Sequence, residues 1–145
     1  MSKKILYTGG TFDLFHSGHV NFLSRCKLLA DEVVVSLNTD QFIKSYKGFN
    51  PFHSYEQRKL ILESCVYCDK VVPNTGNEDS TEAIERVQPH IIAIGTDWAS
   101  KNYYEQMGFT QEWLDIRNIV LVYIPYTQDI SSTIIKAKIA EHYNQ

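Results

Sequence analysis

Short apolar runs alternate with stretches of helical spacing along this chain. Lys4 to Thr8 predicts a first strand, broken by Gly9-Gly10. From Gly18 to Leu29 the apolar positions Val20, Phe22, Leu23, Cys26 and Leu29 recur at the spacing of a helix with one buried face. Glu32 to Leu37 holds Val33-Val34-Val35, a β-branched run typical of a strand covered on both sides. Asn38 to Phe52, with Lys44, Lys47, Gly48 and Pro51, reads as a mobile loop with one helical turn at most. Ser54-Tyr55-Glu56-Gln57 is a capping box, in which the Ser54 hydroxyl accepts from the Gln57 N–H and the Gln57 side chain reaches back. The helix it opens is predicted to run to Val66, with Leu60, Ile61 and Cys65 inward. Lys70 to Val72 is a short strand closed by Pro73-Asn74, and Thr81 to Val87 a helix that Pro89 terminates. A buried strand over Ile91 to Ile94, a helix around Gln111 to Ile116, a strand over Ile119 to Ile124 and a helix over Ser131 to His142 complete the pattern.

A βα unit repeated about five times, without linker or low-complexity segment, predicts an α/β chain. The expected architecture is a single Rossmann-like doubly wound domain over residues 1–145, a five-stranded parallel sheet with helices on both faces. Ligands of such sheets bind outside the carboxyl ends of the strands. The stretch GGTFDLFHSGHV, residues 9 to 20, falls at that address after the first strand.

Composition narrows the partners. At 145 residues the chain suits one sizeable core, and 43% apolar with 21% charged residues is ordinary for a globular protein. A net charge of -3 argues against a basic face for nucleic acid, yet leaves room for a local phosphate pocket. No apolar run approaches the ~18 residues a membrane span needs. The start Met1-Ser2-Lys3-Lys4 precedes only a short apolar run, a poor signal peptide. Three cysteines do not make a disulfide framework, so a cytoplasmic setting is expected. Cys65-Val66-Tyr67-Cys68 ends a helix before a strand, the reverse of a redox motif's placement, and reads as structural.

The chemistry gathers in residues 9 to 20. A helix beginning there offers free backbone N–H groups and a partial positive charge, a natural seat for an anion. Gly9 and Gly10 let the backbone approach a ligand, Thr11 offers a hydroxyl, and Gly18 leaves room for a phosphate against the main chain. His16 and His19 are three residues apart, so their rings share one side of the first turn. This suits a nucleoside triphosphate whose α- and β-phosphates touch both rings. The competing reading makes one histidine a helix cap and the other a surface residue. Zinc fits less well, because no Cys or His with supporting spacing lies nearby.

The stretch Gly10-Thr11-Phe12-Asp13-Leu14-Phe15-His16-Ser17-Gly18-His19 resembles the G-T-F-D-x-x-H-x-G-H signature of the cytidylyltransferase-like nucleotidyltransferases. His53 to Glu63 is similar to the H-S-Y-E-x-R-K-L-I-L-E helix of the branch containing glycerol-3-phosphate cytidylyltransferase. Gly95-Thr96-Asp97-Trp98 is similar to its G-D-D-W, and Thr127 to Thr133 sits where the family has R-T-x-G-x-S-T-T. The resemblance covers nearly the whole chain. It implies transfer of CMP from CTP, or a nucleotidyl group from another triphosphate, to the phosphate of a small alcohol, first glycerol 3-phosphate, with release of pyrophosphate. It also implies direct attack without a covalent enzyme intermediate, and a homodimer. Mg²⁺ is expected separately, to neutralise charge between a triphosphate and an incoming phosphate, and to arrive with the nucleotide because the chain offers no carboxylate cage.

Carried over residue by residue, the resemblance implies catalytic roles for His16, His19, Lys44 and Thr133. Nucleotide contacts fall to Gly9, Gly10, Thr11, Phe12, Gly18, Asp97, Trp98, Tyr126, Ser131, Ser132 and Thr133, and acceptor contacts to Asp13, Lys44, Lys47 and Arg58. The hydroxyls at Ser131 to Thr133 open the last helix, facing β- and γ-phosphates while also serving as a cap. A helix start lowers an imidazole pKa and a bound triphosphate raises it; the several full charges of the triphosphate are expected to dominate. The chain departs from the family at five points, one of them Ser132 for a threonine, which keeps the hydroxyl. Tyr126 and Val66 replace arginines, Thr96 replaces the first Asp of G-D-D-W, and Asp129 replaces a glycine, at a position where Asp tolerates positive φ. The two lost arginines keep ATP, another phosphate or phosphonate acceptor, and a non-catalytic nucleotide-binding relative as alternatives. A dinucleotide oxidoreductase lacks its G-x-G-x-x-G spacing here.

Overall fold

The computed structural model describes residues 2–96 and 103–144, the side chains of residues 77–79, 103 and 106 excepted. Five strands, β1 (Ile5–Gly10), β2 (Glu32–Asn38), β3 (Lys70–Asn74), β4 (Ile91–Gly95) and β5 (Val120–Ile124), pair in parallel in the order β3-β2-β1-β4-β5. Helices α1 (Ser17–Leu29) and α3 (Tyr55–Glu63) cover one face, where Leu23, Cys26 and Leu62 meet Leu6, Val33, Val35, Leu37 and Ala93. On the other face Tyr7, Ile92 and Ile94 meet Ala83 and Ile84 of α4 (Asn77–Val87), Met107 of α5 (Tyr103–Met107) and Leu114 of α6 (Gln111–Ile116). Alternation along each strand sends one set of side chains to each core. Helix α7 (Ser132–Tyr143) buries no residue fully. The expected doubly wound parallel sheet is present.

The strands reach further than the sequence predicts. Gly9 and Gly10 continue β1, paired with Ser36 and Leu37, because a parallel ladder needs only main chain. A Cβ at Gly10 would lie 2.8 Å from the Phe12 ring, so this glycine makes room for a side chain rather than a turn. Pro73 lies inside β3, which tolerates it as an edge strand.

Two helices are also corrected. The expected loop after Asn38 contains α2 (Asp40–Lys47), an eight-residue helix. The Thr39 hydroxyl caps it by accepting from Phe42 N–H at 3.2 Å, and Gly48, at φ 82, ends it in the left-handed region. Its apolar stripe is too short to stand out, since only Ile43 is buried. Helix α3 keeps its capping box, with Gln57 N–H to Ser54 Oγ at 3.3 Å and Ser54 N–H to Gln57 Oε1 at 3.0 Å. It ends at Glu63 rather than Val66, and Leu60, expected inward, is 67% exposed. The buried pair is Arg58 and Leu62, four apart, so an arginine decides which face turns in.

Candidate active site

Strands β1 and β2 pair along six positions, but β1 and β4 only at Leu6–Ile91 and Tyr7–Ile92. Beyond Tyr7 the two strands part. Their separation opens a cavity of about 700 Å³ at the carboxyl ends, where the strand order reverses direction. This is the crevice that doubly wound sheets use for ligands. Thr8, Gly9 and Gly10 of β1, Asn38 of β2, Asn74 of β3 and Ile94 and Gly95 of β4 line it, together with both histidines.

The start of α1 is built from those histidines. His16 is the N-cap: its Nδ1 accepts the Gly18 N–H at 3.0 Å, while His19 Nδ1 accepts the His16 N–H at 3.1 Å. The two rings stack with centroids 3.8 Å apart. This is a capping box with imidazoles in place of the usual hydroxyl and carboxamide. An Nδ1 that accepts carries no proton, so each neutral ring holds its proton on Nε2. His16 is therefore both the cap and a cavity-lining residue, as the competing reading has it for one histidine, but His19 is no surface residue: its ring is half-buried against Phe12, Phe15 and His16.

The cap changes how the site would meet an anion. Three of the backbone donors at this helix start are used: Gly18 N–H goes to His16 Nδ1, and His19 and Val20 N–H go to the His16 carbonyl at 3.0 and 3.2 Å. The Nε2–H of each neutral ring has no hydrogen-bond partner among the described residues. Gly18 serves this arrangement, since a Cβ there would lie 2.8 Å from the His16 ring and 3.3 Å from Ile130.

Burial lowers the pKa of His16, and pushes that of His19 down to about 3, helped by the neighbouring His16 ring and opposed by the Asp13 carboxylate. In the free protein both rings are neutral. Between 6.5 and about 3 the unfolded chain binds a proton at His19 that the folded chain does not. The stabilisation is complete above the unfolded value and is lost as pH falls toward the folded one. Urea midpoints are therefore expected to drop between about pH 7 and about pH 4, with a shallower drop in His19→Gln, because Gln at this position caps without titrating. Equal slopes in the two proteins would disprove the assignment.

A polar row crosses the cavity floor. Ser80 Oγ–H donates to Asn74 Oδ1 at 2.9 Å, Asn74 Nδ2–H to Asn38 Oδ1 at 2.9 Å, and Asn38 Nδ2–H to Thr11 Oγ1 at 3.1 Å. The sequence offered one sign of it, polar residues closing the apolar runs of β2 and β3.

Of the expected residues, Gly9, Gly10, Thr11, Phe12, Asp13, His16, Gly18, His19, Lys47, Tyr126, Ser131 and Ser132 line the cavity. Ser131 caps α7 by accepting from Ile134 N–H at 3.0 Å, and Ser132 Oγ–H donates to the Asp13 carbonyl at 2.8 Å. Thr133 is exposed and outside the lining. Helix α2 presents Phe42, Ile43, Tyr46 and Lys47, a stripe with one-turn spacing; Lys44 is exposed and lies outside it. Asp13 lines the wall, but its carboxylate accepts the N–H groups of Leu14, Phe52 and His53 at 3.1, 2.7 and 3.0 Å. Asp97 and Trp98 lie outside the described residues.

Arg58 does not reach the cavity. Its side chain is fully buried, donating from Nε to the His53 carbonyl at 3.0 Å, from Nη1 to the Thr11 and Asn38 carbonyls at 2.9 and 2.8 Å, and from Nη2 to Asp40 Oδ1 at 2.6 Å. It ties the ends of β1 and β2 to α2 and α3. Val66, where the resemblance expects a second arginine, is 80% exposed. Asp129 has φ 65, the conformation expected of a residue replacing glycine. Sequence reading missed Asn38, Asn74, Phe49 and Lys136, all in the lining. The cysteines are free, with Cys26 and Cys68 buried and Cys65 half-buried.

Among the described residues, no helix is long and apolar enough to cross a membrane, and no three His, Cys, Asp or Glu side chains gather as a metal site.

Residues 7–138 match the model of a family described as cytidylyltransferase-like. A glycerol-3-phosphate cytidylyltransferase of Bacillus subtilis is 39% identical over 140 residues, covering 97% of this chain and 98% of the relative. An FAD synthase of Thermococcus sibiricus is 35% identical over 136 residues, covering 90% and 88%. The crystal structure of a lipopolysaccharide core biosynthesis protein from Thermoplasma volcanium superposes with a TM-score of 0.69 at 22% identity, covering 87% of this chain and 98% of that one. The last of these is a likeness of fold.

Proposed function

This chain belongs to the cytidylyltransferase-like family and is a nucleotidyltransferase, and we propose that it moves CMP from CTP to the phosphate of a small alcohol, first glycerol 3-phosphate. An oxygen of the acceptor phosphate bonds to the α-phosphorus of CTP, the bond from that phosphorus to the bridging oxygen breaks, and pyrophosphate leaves with the electron pair.

The observation that carries this reading is the reciprocal histidine cap. It holds two neutral donors in a fixed relation at the mouth of the strand crevice, with no reorganisation needed when charge shifts toward the leaving group. Ser131 and Ser132 stand beside them in the cavity wall, and Lys47 supplies a cation from α2. The reading also takes the chain to work in the cytoplasm, a setting that suits its free thiols, and to form a homodimer without nucleic-acid partners.

Mg²⁺ in this reading arrives on the nucleotide. Asp13, the carboxylate in the cavity wall, already accepts three N–H groups, and the described residues offer no other cluster. The ion would supply charge neutralisation between the triphosphate and the incoming phosphate.

The FAD synthase relatives favour a second reading, in which the triphosphate is ATP and the acceptor a different phosphate. Tyr126 and Val66, both at family arginine positions, bear on the choice, and of the two Tyr126 is in the cavity wall. Pyrophosphate release measured with CTP and ATP separately, each against a panel of small phosphates, decides between them. CTP with glycerol 3-phosphate is expected to react, and excess chelator to stop it. Reaction with ATP alone would establish the second reading, and unchanged turnover in chelator would remove Mg²⁺.

A further inference from the structure

Lys136 of α7 lines the cavity, and its ammonium lies 5.1 Å from the Phe52 ring centroid and 5.7 Å from that of Phe49. Both rings are more than half exposed. Lys27, Arg58 and Arg117 are each paired with a carboxylate; Lys136 has none within ion-pair distance among the described residues. This difference matters chemically. A carboxylate neutralises the cation it positions, whereas an aromatic face attracts an ammonium and leaves its charge and its N–H groups available. Lys47, in the lining of the same cavity, repeats the device, with its ammonium 6.0 Å from the Tyr46 ring centroid.

We propose that Lys136, held in place by Phe49 and Phe52, is a phosphate-binding residue of this site and grips the phosphate of the acceptor together with Lys47. The identity of that anion as the acceptor rests on the function proposed above. The segment carrying Phe49 and Phe52 directly follows α2 and is pinned to Asp13 through the Phe52 and His53 N–H groups. The two lysines therefore flank one segment, and in this proposal the acceptor phosphate lies with them and the triphosphate at the histidines.

Calorimetric titration with inorganic phosphate, and separately with CTP, tests this on the wild-type chain, Lys136→Gln, Lys136→Arg and the Phe49→Leu/Phe52→Leu double variant. Lys136→Gln is expected to weaken phosphate roughly tenfold or more, the loss of one charged hydrogen-bond donor. Lys136→Arg should restore most of the binding, and the double variant should weaken phosphate severalfold with the lysine intact. CTP affinity should stay the same throughout. In turnover, Lys136→Gln should raise the acceptor KM and leave kcat near wild type. Phosphate binding absent from the wild type, unchanged in Lys136→Gln or in the double variant, or a loss that falls on CTP instead, would overturn the proposal. Should no acceptor react, the transfer reading fails, while the phosphate titration still decides whether Lys136 holds an anion.

Discussion

Replacing His16 by alanine is expected to lower kcat by roughly 10²–10³, the usual effect of removing one preorganised donor. Nucleotide affinity should fall much less, because His19, Ser131 and Ser132 remain in the cavity wall. His19→Ala should behave alike. The double variant should lose less than the product of the two, since both rings act on one developing charge and each supports the other's cap. Alanine also removes a helix cap, at about 1 kcal/mol. His16→Asn separates the roles: asparagine is a good N-cap, but lacks the ring and its Nε2–H. It should recover most of the stability lost by His16→Ala and none of the turnover. Urea melts and single-turnover rates on the three proteins give both quantities. Folded variants with wild-type kcat would refute the catalytic assignment.

Arg58→Met should be the most destabilising of the changes considered. The substitution leaves the Thr11, Asn38 and His53 carbonyls without their donor and strips Asp40 of its cation. Asp40 is 41% exposed and regains water, so the cost falls on the carbonyls, at about 1–3 kcal/mol for each buried acceptor left unpaired, a large share of the roughly 5–15 kcal/mol that holds a typical domain together. Arg58→Lys should recover little, because one ammonium cannot span carbonyls from three segments and a carboxylate in the directions a guanidinium does. The denaturant midpoint is the measurement. An acceptor-binding arginine would behave differently, with a raised acceptor KM in a protein of normal stability, and that result would return Arg58 to the role its motif suggests.

Arg58 also shows where sequence reading stops. Its motif was legible, as was the helix that carries it, since the Ser54–Gln57 capping box depends on residues three apart. Which way the helix faces was not. Apolar counting turned Leu60 inward, and the interior instead took a charged residue, because four acceptors from distant parts of the chain converge on it. Helix α2 was hidden for a related reason. Its cap and its terminating Gly48 are visible in the sequence, but its single buried residue leaves no periodicity to find.

The sequence by itself determined the βα alternation, the parallel sheet and the placement of the two histidines at the end of the first strand. All of these follow from periodicity and from neighbours a few residues apart. Tertiary structure alone decided the site's chemistry. The splaying of β1 from β4 opens the cavity, and the stacking of His16 on His19 turns two ring nitrogens into caps and leaves two as donors. Folding also sorts the cations, burying Arg58 in a structural network while Lys136 is held at the cavity by two exposed rings. A cation's role depends on what holds it, and partners such as Thr11 for Arg58 and Phe49 for Lys136 lie tens of residues away along the chain.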